Sequence, residues 1–186
     1  GGGGYNGIQW LLAHDRAAIT AQYAFNADAG GGELRGDKPV AMDVQAAEKV
    51  YHSVFLTTRD PGGHSSLPRA DNAIYELAAA LGRVSGYAFP FETNAVTRAY
   101  FSRTAALVPS DVAADMRAVS VSATPDRAAA ARLAARSPYY NALLRTTCVA
   151  TLIQGGHAEN ALPQSATATV NCRMMPGTNP AEVERT

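Results

Sequence analysis

Cysteine is scarce: Cys148 and Cys172 are the two in 186 residues. That is too few for a fold held together by a disulfide scaffold. No run of 18 apolar residues occurs, so no transmembrane helix is encoded. There is no excess of charge. The 16 basic and 16 acidic residues give a formal net charge of zero and a pI of about 7.1. The charges are scattered without a run of one sign, which speaks against a nucleic-acid partner. The G-x-S-x-G turn of many serine hydrolases is absent. No initiator Met, basic leader or signal-peptide core opens the chain; Gly1-Gly2-Gly3-Gly4 does, which reads as the edge of a fragment or a processed product. What is present is ordinary for a globular domain: 47% apolar and 17% charged residues.

The opening segment mixes periods. Ile8, Leu11 and Leu12 have helical spacing, Ala13, Ala17 and Ala18 favour helix, and a short strand fits Gln22 to Asn26. Gly30-Gly31-Gly32 breaks regular structure, and Arg35-Gly36-Asp37-Lys38-Pro39 is a turn or linker. Val50, Tyr51, Val54, Phe55 and Thr57 then predict a strand over 50–58. Pro68 suits a first helical turn, and Ile74, Leu77, Ala78, Leu81 and Val84 lie on one helix face that Gly86 ends. Residues 87–140 read as an insertion with aromatic clusters and two short helical patterns. Thr124 as N-cap, Pro125 in the first turn and Asp126 near the positive pole begin the second pattern, and Ser137-Pro138 stops it.

Residues 146–154 and 165–173 predict two strands joined by a loop with Gly155-Gly156 and Pro163. In the second strand Ala166, Ala168, Val170 and Cys172 share one face and Thr167, Thr169, Asn171 and Arg173 the other. A hairpin symmetric about residue 160 sets Cys148 opposite Cys172. Opposed Cβ atoms lie about 4.5–5.5 Å apart, wider than the roughly 3.8 Å of a relaxed disulfide, which favours a buried free pair over a bridge. Asn179, Pro180 and Glu182 mark a further helix start.

Two segments carry candidate chemistry. In Gly62-Gly63-His64-Ser65-Ser66-Leu67-Pro68 the glycines permit close approach, and a histidine can donate to a substrate oxygen or shuttle a proton. The plainer reading is a loop histidine beside a helix start. In Gly155-Gly156-His157-Ala158-Glu159-Asn160-Ala161-Leu162-Pro163, followed by Asn171-Cys172-Arg173, an asparagine loop and a strand arginine could bind a carboxylate in bidentate form. The plainer reading there is an ordinary loop and an exposed arginine.

These two segments, in this order, with Asn171-Cys172-Arg173-Met174-Met175-Pro176-Gly177 after the second, resemble the lid or dimerisation domain of the M20 family of zinc peptidases and aminoacylases. The insertion and Arg145-Thr146-Thr147-Cys148 are most similar to its carboxypeptidase S and PM20D-like branch, and Asn26-Ala27-Asp28-Ala29-Gly30-Gly31-Gly32 resembles the end of the first half of the catalytic domain. The resemblance covers essentially the whole chain. It implies a reaction in which a zinc-bound water attacks an amide carbonyl beside a free carboxylate. It assigns His64 the place of the oxyanion-stabilising histidine that reaches across a dimer. Asn160 and Arg173 match substrate-holding positions, Gly155 and Gly156 would let substrate approach closely, and Asp28 matches a carboxylate ligand of zinc. His157 is either a branch-specific site residue or a plain loop residue.

The family's His-x-Asp metal pair, bridging Asp, Glu-Glu pair and last metal-binding His are not in this sequence. One zinc ligand is left where about four donors are needed. His14 and His52 read as structural. The expectation is therefore an α+β two-layer fold, an antiparallel sheet with helices on one face in a ferredoxin-like β-α-β-β order lacking its last strand, with a helical insertion. Residues 1–40 would be a stub of the catalytic domain and residues 41–186 the lid. The parent enzyme would carry zinc, in two ions, while this chain alone would hold none and be inactive. A homodimer through the lid and a peptide or N-acyl amino acid substrate are the expected partners, without nucleic acid or membrane. The rival is a non-catalytic dimerisation or binding module.

Overall fold

In the computed structural model residues 6–23 and 31–186 are described. The chain divides into two units, Gly1–Gln45 and Ala46–Thr186. In the first, helix α1 (Gly7–His14) starts at Asn6, whose Oδ1 accepts the amides of Ile8 at 3.1 Å and Gln9 at 3.2 Å. That satisfies two of the amides a helix start leaves unpaired. Asp15 leaves the helical region and caps a 3-10 turn over Arg16–Ile19. The glycine break expected at 31–32 is instead strand: β1 (Gly31–Arg35) pairs antiparallel with β2 (Lys38–Asp43). The turn between them needs Gly36 at φ +63°. The strand expected over Gln22–Asn26 is absent at Gln22 and Tyr23, and its other residues lie outside the described ones, as does Asp28.

The second unit is built on β3 (Val50–Arg59), β5 (Thr147–Gly155) and β7 (Ser165–Met174), in the order β3-β7-β5 with both pairings antiparallel. Alternation along β7 sorts its side chains. Ala166, Ala168, Val170, Cys172 and Met174 are buried against helices α2 (Ala73–Gly86) and α7 (Pro180–Arg185), together with Leu77, Leu81, Val84 and Val183. Complete burial of one such leucine, Leu77, is worth about 2 kcal/mol. The other face of the sheet carries no helix in this unit, and this is the two-layer α+β arrangement its residue pattern predicts. α7 is tied to β3 by His52 Nε2 and Glu184 Oε1, 2.7 Å apart.

Some element starts differ from the sequence reading. Pro68 is not helical; α2 begins at Ala73, where Asn72 Oδ1 accepts the Ile74 amide at 2.8 Å. Asn in an extended conformation is the stronger cap because its side chain replaces a missing backbone acceptor. The insertion holds four helices rather than two: α3 (Ala95–Thr104), α4 (Ser110–Val119), α5 (Arg127–Arg136) and α6 (Pro138–Leu144). Asp126, not Thr124, caps α5, accepting the Ala129 amide at 2.8 Å. Phe101, Met116, Val119, Leu133 and Leu144 form a core of the insertion's own.

Cys148 and Cys172 are bridged, correcting the free-pair reading. They stand directly opposite in the β5–β7 ladder, as the hairpin symmetry requires, but their Cα atoms are 4.0 Å apart. That is closer than the roughly 4.5 Å of an average narrow cross-strand pair, which brings the sulfurs within bonding reach.

Candidate functional site

The His64 corner follows β3. β4 (Gly63–His64) pairs with β6 (Ala161–Leu162), so the two glycine-bearing segments singled out in the sequence meet backbone to backbone. The Ser65 amide donates to the Asn160 carbonyl at 2.9 Å. Gly62 sits at φ +78°, and a Cβ there would meet Gln164 Cγ at 2.9 Å and the Leu162 carbonyl at 3.1 Å, so glycine is required on two counts.

The His64 ring is oriented from one side. Its Nδ1 accepts the Ser66 amide at 3.2 Å and lies 2.8 Å from Ser66 Oγ. A backbone N–H can only donate, so Nδ1 presents its lone pair and the neutral ring carries its proton on Nε2. His64 is exposed, so that Nε2–H is a free donor. Asp60, which the sequence reading passed over, organises the corner. Its buried carboxylate accepts the Gly62 amide at 2.8 Å, and Arg69 lies 3.7 Å from it. The run Asp60-Pro61-Gly62-Gly63 is the signal that could have found it, since Asp before Pro and Gly favours this side-chain-to-backbone turn.

Gly155, Gly156 and His157 line a shallow cleft of about 320 Å³ with Gln154, Gln164 and Thr167, at the same end of the sheet. Gly156 adopts φ +79°. A Cβ at Gly155 would lie 3.0 Å from Ala166 Cβ and 3.6 Å from Ile74, so this glycine has a packing reason beside its proposed one.

Arg173 does not join this cluster. It lies at the opposite end of β7, eight residues beyond Ser165 and roughly 26 Å along the strand. Its guanidinium rests 4.8 Å from the centre of the Tyr51 ring, on the helix-free face of the sheet. Among the described residues no carboxylate forms an ion pair with it. Close by, Lys49 Nζ donates to the carbonyls of Ala142 and Arg145, at 3.0 and 2.7 Å, and to Thr147 Oγ1 at 3.2 Å. This ammonium clasps the end of α6 to the start of β5. Burial pushes the Lys49 pKa down to about 8, Glu92 opposes the shift and Arg173 adds to it.

The folded value is below that of the unfolded chain, so between pH 8 and about 10.5 the unfolded chain binds more protons. This group's contribution to stability therefore rises with pH across that window and is flat below it. Unfolding titrations of the wild type and Lys49→Met should show their stability difference shifting in favour of the wild type from pH 8 to 10. A difference constant over that range would contradict the assignment.

Asp28 lies outside the described residues. Among the described residues, no three His, Cys, Asp or Glu side chains gather to hold a metal ion, so these residues do not fit a zinc centre. No helix among them is long and apolar enough to cross a membrane.

The family model described as a peptidase dimerisation domain matches residues 46–186. The chain belongs to the M20 family of peptidases and related hydrolases. It is 31% identical over 171 residues to N-fatty-acyl-amino acid synthase/hydrolase PM20D1 of Mus musculus, covering 89% of this chain and 33% of that protein. The Xenopus tropicalis PM20D1 is 31% identical over 186 residues, covering 97% of this chain and 35% of the relative. The probable carboxypeptidase S-like 2 of Dictyostelium discoideum is 31% identical over 140 residues, covering 75% and 26% respectively. The chain thus spans about a third or less of the relatives it matches.

Proposed function

We propose that this chain is the dimerising, substrate-holding part of a zinc-dependent hydrolase that cleaves peptide or N-acyl amino acid amides beside a free carboxylate. One observation carries the reading. His64 and Arg173, the donor for the oxyanion and the cation for the carboxylate, stand apart: His64 in the small β4–β6 ladder beyond the Arg59 end of β3, Arg173 near the other end of β7. A single protomer cannot bring both to one substrate of ordinary size. Two copies related by a twofold axis and set antiparallel can, because each end then meets the other end of its partner. Each substrate is held by Arg173 of one protomer, with Asn160 and the Gly155-Gly156 loop as further contacts, and receives the His64 Nε2–H of the other.

Asp28 supplies one zinc ligand, and residues 1–40 belong to the catalytic domain. Zinc activates water and polarises the amide carbonyl when bound. The remaining donors are not among the described residues, so the chain alone is inactive and binds no zinc. The names of the relatives, an N-fatty-acyl-amino acid synthase/hydrolase and a carboxypeptidase-like protein, agree with the substrate class.

The test is release of free amino acid from N-acyl amino acids by the whole protein that carries this chain. Turnover should be abolished by a chelator, restored by zinc, and absent from residues 1–186 alone. Turnover by residues 1–186 alone would overturn the division of labour. A whole protein that dimerises but turns nothing over would be a binding module.

A further inference from the structure

The loop that presents His64 leaves and re-enters the fold at one place. It departs after β3 at Asp60, whose amide donates to the Gln164 carbonyl at 3.0 Å, and it ends at Asn72, the cap of α2. Thr58 Oγ1 donates to the Ala73 carbonyl at 2.6 Å, which fastens the start of α2 to the end of β3. Between these anchors Gly62 and Gly63 turn the chain at φ +78° and +150°. Asp60 stands just before that turn, with its side chain 2% exposed. One carboxylate oxygen, Oδ1, accepts the Gly62 amide at 2.8 Å. The other, Oδ2, lies 3.7 Å from Arg69 Nη2, an ion-pair contact rather than a hydrogen bond. Arg69 also donates to both oxygens of Asp71, from Nε at 3.2 Å and from Nη2 at 2.6 Å. Its guanidinium thus stands between the two ends of the loop.

We propose that Asp60 is a positioning residue for His64: one carboxylate oxygen holds the Gly62-Gly63 turn, and the other, through Arg69, holds the returning limb of the loop. The charge argues for the second contact. An asparagine would accept the Gly62 amide equally well, whereas a buried carboxylate is costly to desolvate unless a cation answers it. Arg69 is that cation. Burial keeps Asp60 away from substrate, so it acts on the reaction through His64 alone. Ser66 orients the ring about its own bonds, but the backbone of the turn decides where the ring starts. A donor serves a developing oxyanion only from about 2.7–3.1 Å, so a loop displaced by about 1 Å loses it. The inference rests on the reading above, in which His64 donates to the oxyanion in the partner's site.

A double-mutant cycle on the whole protein tests the proposal. Asp60→Asn keeps an acceptor for the Gly62 amide and removes the charge. It should lower kcat for an N-acyl amino acid about tenfold, with KM held within about twofold and dimerisation unchanged. Arg69→Gln should do the same. That arginine is 39% exposed, so its variant keeps the fold and carries the cycle on its own if Asp60→Asn melts below the assay temperature. In a His64→Ala background either substitution should cost nothing further, because the ring through which Asp60 acts is gone. A general weakening of the fold would lower kcat by the same factor in both backgrounds, and that result would overturn the proposal. So would wild-type kcat in Asp60→Asn and Arg69→Gln when His64→Ala is crippled; the oxyanion reading would then stand without the clasp. Full activity in His64→Ala would sink the oxyanion reading itself, and the clasp with it.

Discussion

Replacing His64 by alanine in the whole protein is expected to lower kcat by about 10²–10³-fold and leave KM for an N-acyl amino acid nearly unchanged. The ring is exposed and held only by Ser66, so its removal costs the fold little. In the proposed site the variant loses a donor for charge that exists only in the transition state. Arg173→Met should act differently, chiefly raising KM for substrates with a free carboxylate, because in the proposed site the guanidinium would meet a charge already present in the ground state. The two lesions lie in separate ladders, so mixing the two impaired variants, assayed at substrate well below KM, discriminates further. In a dimer whose sites draw His64 from one protomer and Arg173 from the other, each mixed dimer has one doubly damaged site and one intact site. Random exchange should then restore about a quarter of wild-type activity. If both residues served the same site within one protomer, the mixture would stay as impaired as the separate variants.

Most of the sheet was legible because period-two alternation from Ala166 to Cys172 fixes which side is buried, and a register slip would invert it. The α2 face was legible for the same reason at period 3.6. The starts of elements were less so. Thr124-Pro125-Asp126 contains two residue types that cap helices, and tertiary packing decides which one does. The insertion's aromatic residues show no single period because they pack from α3 and α6 onto one another, so two of its helices were hidden. At the site, the order of the His64 and Asn160 segments carried the family resemblance, while their pairing through β4 and β6 was not anticipated. Asp60 escaped because its role is to accept one amide of its own loop, which leaves no long-range pattern. The separation of His64 and Arg173 escaped because it depends on strand pairing, and the proposed two-copy site rests on it.

Removing the Cys148–Cys172 bridge should lower the stability of the lid by about 3.5 kcal/mol, the loop-closure entropy of a bridge spanning 24 residues, and its melting temperature by roughly 10 °C. The contribution is made in the unfolded state. In the folded one β5 and β7 are already paired around the bridge, so the ladder from Thr147 to Gly155 survives its loss. Cys172 is 2% exposed and packs with Val170, Met174 and Val183, so a serine there would add a desolvated hydroxyl. The paired alanine variant is the cleaner probe, and reduced wild type the control that keeps the sulfur volume. Reduced wild type should lose about as much as the entropy predicts, and Cys148→Ala/Cys172→Ala somewhat more, by the cavity that Cys172 leaves. Because β5 is an edge strand whose open face carries Val149 and Leu152, loosening it should also weaken whatever docks there. A reduced protein that melts where the oxidised one does, or two titratable thiols in the native protein without reductant, would show that packing alone holds this hairpin.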